Sequence, residues 1–231
     1  MTTVGILGAG KLGTVLARLA VAAGYRTLIA ASGDPAAIRL VVDVMAPGAI
    51  ATSAADAARG GDLVVLAVPL GRYRTLPAAR LAGKVVVDAM NYWPPTDGVL
   101  PQFEDTPSSP VVAAALPGAR LVKALSHLDY HQLDEDARPP GAPDRHAVAL
   151  AGDDEQAVQV AAELVDRMGF DPVIAGPLSA GARFGPGSRL FGVSASRADV
   201  EALLDARATT SPPELSRPSS PRPRSADTAS P

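Results

Sequence analysis

The chain contains no cysteine, which excludes disulfides, thiolate metal sites and a cysteine nucleophile. Neither sign of charge dominates. Twenty-one Lys and Arg stand against 24 Asp and Glu, for a net charge of -3, a balance that suggests neither nucleic acid nor an acidic membrane surface as partner. No apolar run reaches the length of a membrane span, and no charged-then-apolar leader precedes the first strand pattern. Internal repeats are missing too. These absences lead to the expectation of a soluble, cytoplasmic protein. Its 231 residues suffice for one α/β domain, or one domain with a small appendage.

What the chain does have comes first. Val4, Ile6 and Leu7 form a short apolar strand pattern, and Gly8, Gly10 and Gly13 follow at G-x-G-x-x-G spacing. A helical run from Thr14 then ends at Gly24, a residue suited to a C-terminal cap. Each loop glycine has a physical reason. Gly8 permits a tight turn, Gly10 leaves bare backbone for a pyrophosphate, and Gly13 lets the helix lie close to the strand. A helix start also offers free N–H groups and the positive end of its dipole to an anion. The spacing alone is a weak signal, but between a strand and a capped helix it points to a bound dinucleotide.

The remainder alternates strands with helices. Strands are expected over Tyr25–Ala31, Asp62–Pro69, Lys84–Asp88, Arg120–Leu125, His146–Ala151 and Asp171–Ala175. Helices are expected over Ala36–Met45 (capped by Asp34), Ala54–Arg59, Tyr73–Leu81, Pro110–Leu116, the run after Asp153 and Arg197–Arg207. Ala157, Ala161, Leu164, Val165 and Met168 mark the inward face of the long late helix. Asp153 with Gln156 reads as an aspartate-led capping box. Segments Asn91–Pro110, Leu128–Asp144 and Gly176–Gly192 read as loops. This rhythm predicts an α/β fold with a doubly wound, mostly parallel sheet. Residues 208–231 hold six prolines and six serines and almost nothing apolar, so they read as a disordered tail.

Several stretches together resemble the NADPH-dependent coenzyme F420 reductases, the F420:NADP oxidoreductase family. They are VGILGAGKLGTVLARLA, DLVVLAVPLGRY, KVVVDAMNYWPPTDG, LVKALSHLDYH and GAPDRHAVALAGDDEQAVQVAAELVDRMGFDPVIAGPL. The resemblance covers about residues 1–192. It implies a Rossmann-type domain over 1–145, a small C-terminal α/β extension over 146–207, and hydride transfer between NADP(H) and a deazaflavin or similar flat acceptor. Gly8, Ala9, Gly10, Lys11 and Leu12 would cradle the pyrophosphate, with Ser32 at the 2′-phosphate. Val68, Pro69 and Ala89 would border the nicotinamide ribose. Met90, Asn91 and His127 would line the reacting face. A homodimer is also a family-level expectation. Two positions depart from the family pattern: Gly33 stands where an arginine usually clamps the 2′-phosphate, and Leu125-Ser126 where a phenylalanine–asparagine pair is frequent.

Hydride transfer asks little covalent chemistry of a protein, so no catalytic triad is expected. His127 either positions or protonates a substrate ring or bonds nearby backbone. His127 and His131, with Asp129 and Asp134, have metal-like spacing, but that spacing aligns ligands only on a helix; without a helical stripe over 128–136, no metal is expected. Asp88 is expected to end its strand or hold a loop. Tyr92 and Trp93 either stack on a flat ring or pack beneath the stiff Pro94-Pro95 turn. Arg183 and Arg189 read as solvated loop charges or substrate clamps. The second strand ends at Ser32, 19 residues after Gly13, where NAD-preferring sites carry an acid. A hydroxyl there, with the next helix start and Arg39 one turn inside, favours NADP, provided Asp34 serves as a cap. The alternatives are another NADPH-dependent reductase on the same scaffold, or a non-catalytic dinucleotide sensor.

Overall fold

The computed structural model describes residues 1–104 and 106–206. The opening apolar run is strand β1 (Thr3–Leu7), buried along its whole length, and the glycine loop leads into helix α1 (Lys11–Ala22). Then come β2 (Arg26–Ala30), α2 (Arg39–Met45), β3 (Ile50–Ala51) and α3 (Ala54–Gly60). The middle contains β4 (Leu63–Leu66), α4 (Ala78–Leu81), β5 (Val85–Asp88), α5 (Pro94–Asp97), α6 (Ser108–Ala115) and β6 (Arg120–Lys123). The remaining elements are α7 (Tyr130–Glu135), β7 (Ala147–Gly152), α8 (Glu155–Arg167), β8 (Asp171–Gly176) and α9 (Arg197–Asp205).

Among the described residues these strands form one sheet of order β3-β2-β1-β4-β5-β6-β7-β8. Neighbours from β3 to β6 are parallel; β7 runs antiparallel to β6, and β8 is again parallel to β7. This is the expected α/β, doubly wound, mostly parallel architecture. Strand order reverses direction between β1 and β4, and the crevice outside the carboxyl ends at such a switch point is where open α/β sheets bind ligands.

The core lies on both faces of the sheet because parallel strands are covered twice. Along β4, Leu63 and Val65 pack on the α1/α8 side, while Val64 and Leu66 pack on the side of α3 and α6. Val64, Val65 and Leu66 are all fully buried, each contributing about 2 kcal/mol. The inward stripe expected on α8 (Ala157, Ala161, Leu164, Val165) and Met168 beyond it are buried in the same core.

The structure differs from the sequence pattern in several places. Ala36–Met45 is not one helix: a 3-10 turn, Pro35–Ile38, precedes α2, and the Asp34 side chain accepts from Ala36 N at 2.9 Å. Tyr73–Leu81 divides into a 3-10 segment, Leu70–Thr75, and the short α4. Pro77 explains the division, because it forces Leu76 into extended backbone (φ -65°, ψ 145°). Within 91–110 the chain forms α5 and a 3-10 turn, Pro101–Phe103, and Gly176–Gly192 contains another, Leu178–Phe184. The polar segment after Leu128 contains α7, started by a complete Asp129/Gln132 capping box. Asp154 rather than Asp153 caps α8; Asp153 instead accepts from Leu178 N at 2.9 Å. β3, only two residues long, offered no pattern to find. The tail expected over 208–231 lies outside the described residues.

Candidate functional site

At the end of β1 the chain turns through Gly8, whose φ of 125° is open to glycine and strained for other residues. A Cβ on Gly8 would lie 2.1 Å from the Ala67 carbonyl oxygen, and one on Gly13 would lie 1.9 Å from that of Gly8. The turn is therefore pressed between α1 and the end of β4. Gly8 N donates to Ala30 O at 2.8 Å and Ala67 N to Leu7 O at 2.7 Å, which fixes the loop against both neighbouring strands. Gly10 differs: a Cβ there would meet nothing within 4 Å. Its outer face is open.

Gly10 is also the N-cap of α1, with no side chain capping the helix and no acid in its first turn. The N–H groups of Lys11, Leu12 and Gly13 precede the first helical bond, Thr14 N to Gly10 O at 2.9 Å. Backbone donors, an uncapped twelve-residue helix and an open glycine face suit a pyrophosphate. Ala9 and Leu12 pack at the edge of the core. The Lys11 side chain turns away to Tyr130, whose hydroxyl is 3.1 Å from Nζ, so Lys11 offers the loop its backbone.

Ser32 lies just past β2, and its hydroxyl accepts from Arg72 Nη1 at 3.3 Å. The next turn's N-terminus is not free for an anion as expected, because Asp34 already takes the Ala36 N–H. Asp34 is thus a cap. Arg39 begins α2 and is exposed, with no bond to Ser32 among the described residues.

A cavity of about 570 Å³ opens at the carboxyl ends of β5 and β6. Asn91, Trp93, Phe103, Ser109, Lys123 and Gly181 are among its lining residues. Asn91 Nδ2 donates to Ser126 O at 2.5 Å, tying the two strand ends together. Trp93 is half-exposed at the cavity wall. Tyr92 also lines the cavity and braces the turn, its hydroxyl accepting from Leu100 N at 2.8 Å and donating to Gly98 O at 3.1 Å.

Of the residues expected at the reacting face, only Asn91 lines this cavity. Ala89 and Met90 are almost fully buried, and Val68 and Pro69 sit at the partly open end of β4. His127 is wholly buried. Its Nε2 accepts from Ala149 N at 3.1 Å, which puts its proton on Nδ1, and its ring meets Phe184 edge-on. Burial lowers its pKa to about 4. The catalytic role expected of His127 finds no support in this placement: Nε2 is taken by the Ala149 N–H, Nδ1 is buried, and the ring lies outside the cavity lining, so neither nitrogen is presented to a ligand there.

The metal argument also changes. His131 does lie on a helix, α7, but His127 precedes it and is engaged with β7. Among the described residues no three metal-ligating side chains gather. Arg183, in the 3-10 segment Leu178–Phe184, and Arg189 beyond it are exposed charges outside the cavity lining.

The sequence reading passed over Lys123 as a site residue. It is buried on the cavity floor, with Nζ 3.5 Å from Asp88 Oδ2 and donating to Met90 O. Burial pushes its ammonium below the usual lysine range, and Asp88 partly opposes this. Gly181 leaves room for it, since a Cβ there would come within 3.0 Å of Lys123 Cγ. A lysine inside an apolar β6 run was the signal available, because such a charge must find a partner.

Residues 3–92, which hold the glycine loop, Ser32, Arg72 and Asn91, match the family model described as NADP oxidoreductase coenzyme F420-dependent. Through these residues the chain belongs to that family. A hypothetical protein from Sinorhizobium meliloti is similar at 31% identity, with 84% of this chain and 95% of that one covered and a TM-score of 0.72. A candidate F420-dependent NADP reductase from Arthrobacter sp. FB24 shares 23% identity over 78% of this chain and 86% of its own, with a TM-score of 0.64. The Mycobacterium tuberculosis 3-hydroxyisobutyrate dehydrogenase shares the fold at 18% identity and a TM-score of 0.57, over 78% of this chain but only 56% of that one. No curated protein matches the chain.

Proposed function

We propose that this family member transfers hydride between NADP(H) and a deazaflavin of the coenzyme F420 type. The observation that carries the reading is the pairing of two features on one sheet edge. An open glycine cradle lies at the β1–β4 switch point, and an aromatic-walled cavity of about 570 Å³ opens at the ends of β5 and β6. That volume lies in the range of small-molecule sites, and Trp93 and Phe103 give it flat apolar walls.

When bound, the nicotinamide and deazaflavin rings supply the redox chemistry: hydride passes from the reduced ring to the oxidised one, and a solvent proton completes the reduced deazaflavin. The protein's part is binding and orientation. The first turn of α1 and Gly10 hold the pyrophosphate through backbone, and Gly8, Ala9, Lys11, Leu12 and Gly13 shape that cradle. Val68, Pro69 and Ala89 border the nicotinamide end, and the Met90–Asn91 turn leads from it to the cavity. Asn91 stays fixed by its bond to Ser126 O. We assign His127 no proton transfer; it holds the β6 end against β7. Stopped-flow mixing of NADPH and oxidised F420 with the purified protein tests this. Loss of the deazaflavin absorbance without any added flavin supports it, and binding of NADPH with no absorbance change contradicts it.

A further inference from the structure

We propose that Arg72 selects NADP(H) over NAD(H), its guanidinium holding the 2′-phosphate beside Ser32 in place of the arginine that Gly33 lacks. The inference rests on the dinucleotide reading above and deepens it. Discrimination of the two dinucleotides falls at the end of the second strand, where an acid takes a ribose hydroxyl and a nearby arginine takes a phosphate. Here no acid meets the ribose. Ser32 presents a hydroxyl, Gly33 presents nothing, with φ at 110° and open space around a built Cβ, and Asp34 is turned onto its own Ala36 N–H.

The cation comes from the opposite side of the crevice. β2 and β4 flank β1, and Arg72 lies in the Leu70–Thr75 segment that follows β4. Its Nη1 donates to Ser32 Oγ at 3.3 Å, across 40 residues of sequence. One contact of that length leaves most of the five guanidinium N–H groups for a phosphate, which an arginine can grip with two parallel bonds. Among the described residues no carboxylate pairs with Arg72. Arg74 lies over the Tyr73 ring at 5.1 Å and Lys11 at Tyr130, which leaves exposed Arg39 as the rival cation.

The backbone holds Arg72 in place. Its N–H donates to Pro69 O at 2.9 Å, its carbonyl accepts from Thr75 Oγ1 at 2.8 Å, and Tyr73 beside it is buried. Gly71 N is tied to Asp97 Oδ1 at 2.8 Å. An exposed side chain on an anchored turn is the arrangement of a clamp. Because the side chain is exposed, its substitution should leave the fold intact.

Calorimetric titration of the full chain with NADP+, NAD+ and 2′,5′-ADP tests the assignment, using wild type, Arg72→Ala, Arg72→Lys, Arg39→Ala and Arg74→Ala. Arg72→Ala should lose about ten- to a hundredfold in affinity for NADP+ and 2′,5′-ADP while NAD+ binding stays within about twofold. Arg72→Lys should recover part of the loss, and Arg74→Ala should match wild type. If wild type binds NADP+ and Arg72→Ala binds it equally, or if Arg39→Ala takes the loss instead, the inference falls while the dinucleotide reading stands. If wild type binds neither NADP+ nor NAD+, both fall.

Discussion

Lys123 Nζ and Asp88 Oδ2 lie 3.5 Å apart on register-paired residues of β6 and β5, both buried beneath the cavity. Asp88 Oδ1 accepts from Met90 N at 3.0 Å, and Oδ2 accepts from Ser109 Oγ at 2.7 Å. Two strand ends and the start of α6 are thus fastened at one carboxylate. Removing one partner leaves the other charge buried and alone. Lys123→Met should therefore cost about 3–5 kcal/mol, and the double variant Lys123→Met with Asp88→Asn should cost less than Lys123→Met alone. Urea melts of wild type, Lys123→Met, Asp88→Asn and the double variant measure this. An additive double variant would show that the two charges are not coupled.

His127 makes stability depend on pH. Its folded pKa of about 4 lies below the ordinary histidine value of 6.5, so within that window the unfolded chain binds a proton that the folded chain lacks. Stability should be full above about pH 6.5 and fall as pH drops toward 4, by about 3 kcal/mol in all. His127→Gln keeps an acceptor for Ala149 N and does not titrate. Its stability profile between pH 6.5 and 4 should be flatter than wild type by that amount, as denaturant melts across pH will read.

Two of the loop glycines, Gly13 and Gly10, should fail in different ways. A side chain on Gly13 meets the Gly8 carbonyl at 1.9 Å, whereas one on Gly10 meets nothing within 4 Å. Gly13→Val should lower the melting temperature sharply. Gly10→Val should cost no more than about 1 kcal/mol, for the poorer N-cap that valine makes, and reduce NADP+ affinity at least about tenfold through the space it takes from the pyrophosphate. Thermal melts and calorimetry on both variants separate the two effects.

Trp93 is the chain's one tryptophan and stands half-exposed on the cavity wall. Its fluorescence should be quenched as oxidised deazaflavin is titrated in. Trp93→Ala should raise the acceptor KM several-fold with little change in the KM for NADPH, and a rise in the latter alone would place the acceptor elsewhere.

How much of this was legible in the sequence followed the range of the interactions. β4 and β5 stood out because strands covered on both faces read as unbroken apolar runs, Leu63–Leu66 and Val85–Val87. The glycine loop was legible because its spacing is local. α7 was missed although its Asp129/Gln132 box was written in the sequence, since a polar six-residue helix has little apolar stripe. Arg72 beside Ser32 and Lys123 beside Asp88 depend on strand order and register, which no local pattern encodes. His127 read as a catalytic candidate through the family resemblance, while its place at a strand end equally allowed a histidine bonded to nearby backbone. Only the antiparallel turn into β7, which brings Ala149 N to its ring, makes it a buried acceptor.

Direct hydride transfer is the central claim, and isotope transfer tests it most closely. A single turnover of the full chain with oxidised F420 and NADPH deuterated at the transferred C4 position should place deuterium on C5 of the reduced deazaflavin, one for each NADP+ formed. Bound NADPH without any reduced deazaflavin, or reduction with the deuterium lost to water, would contradict it.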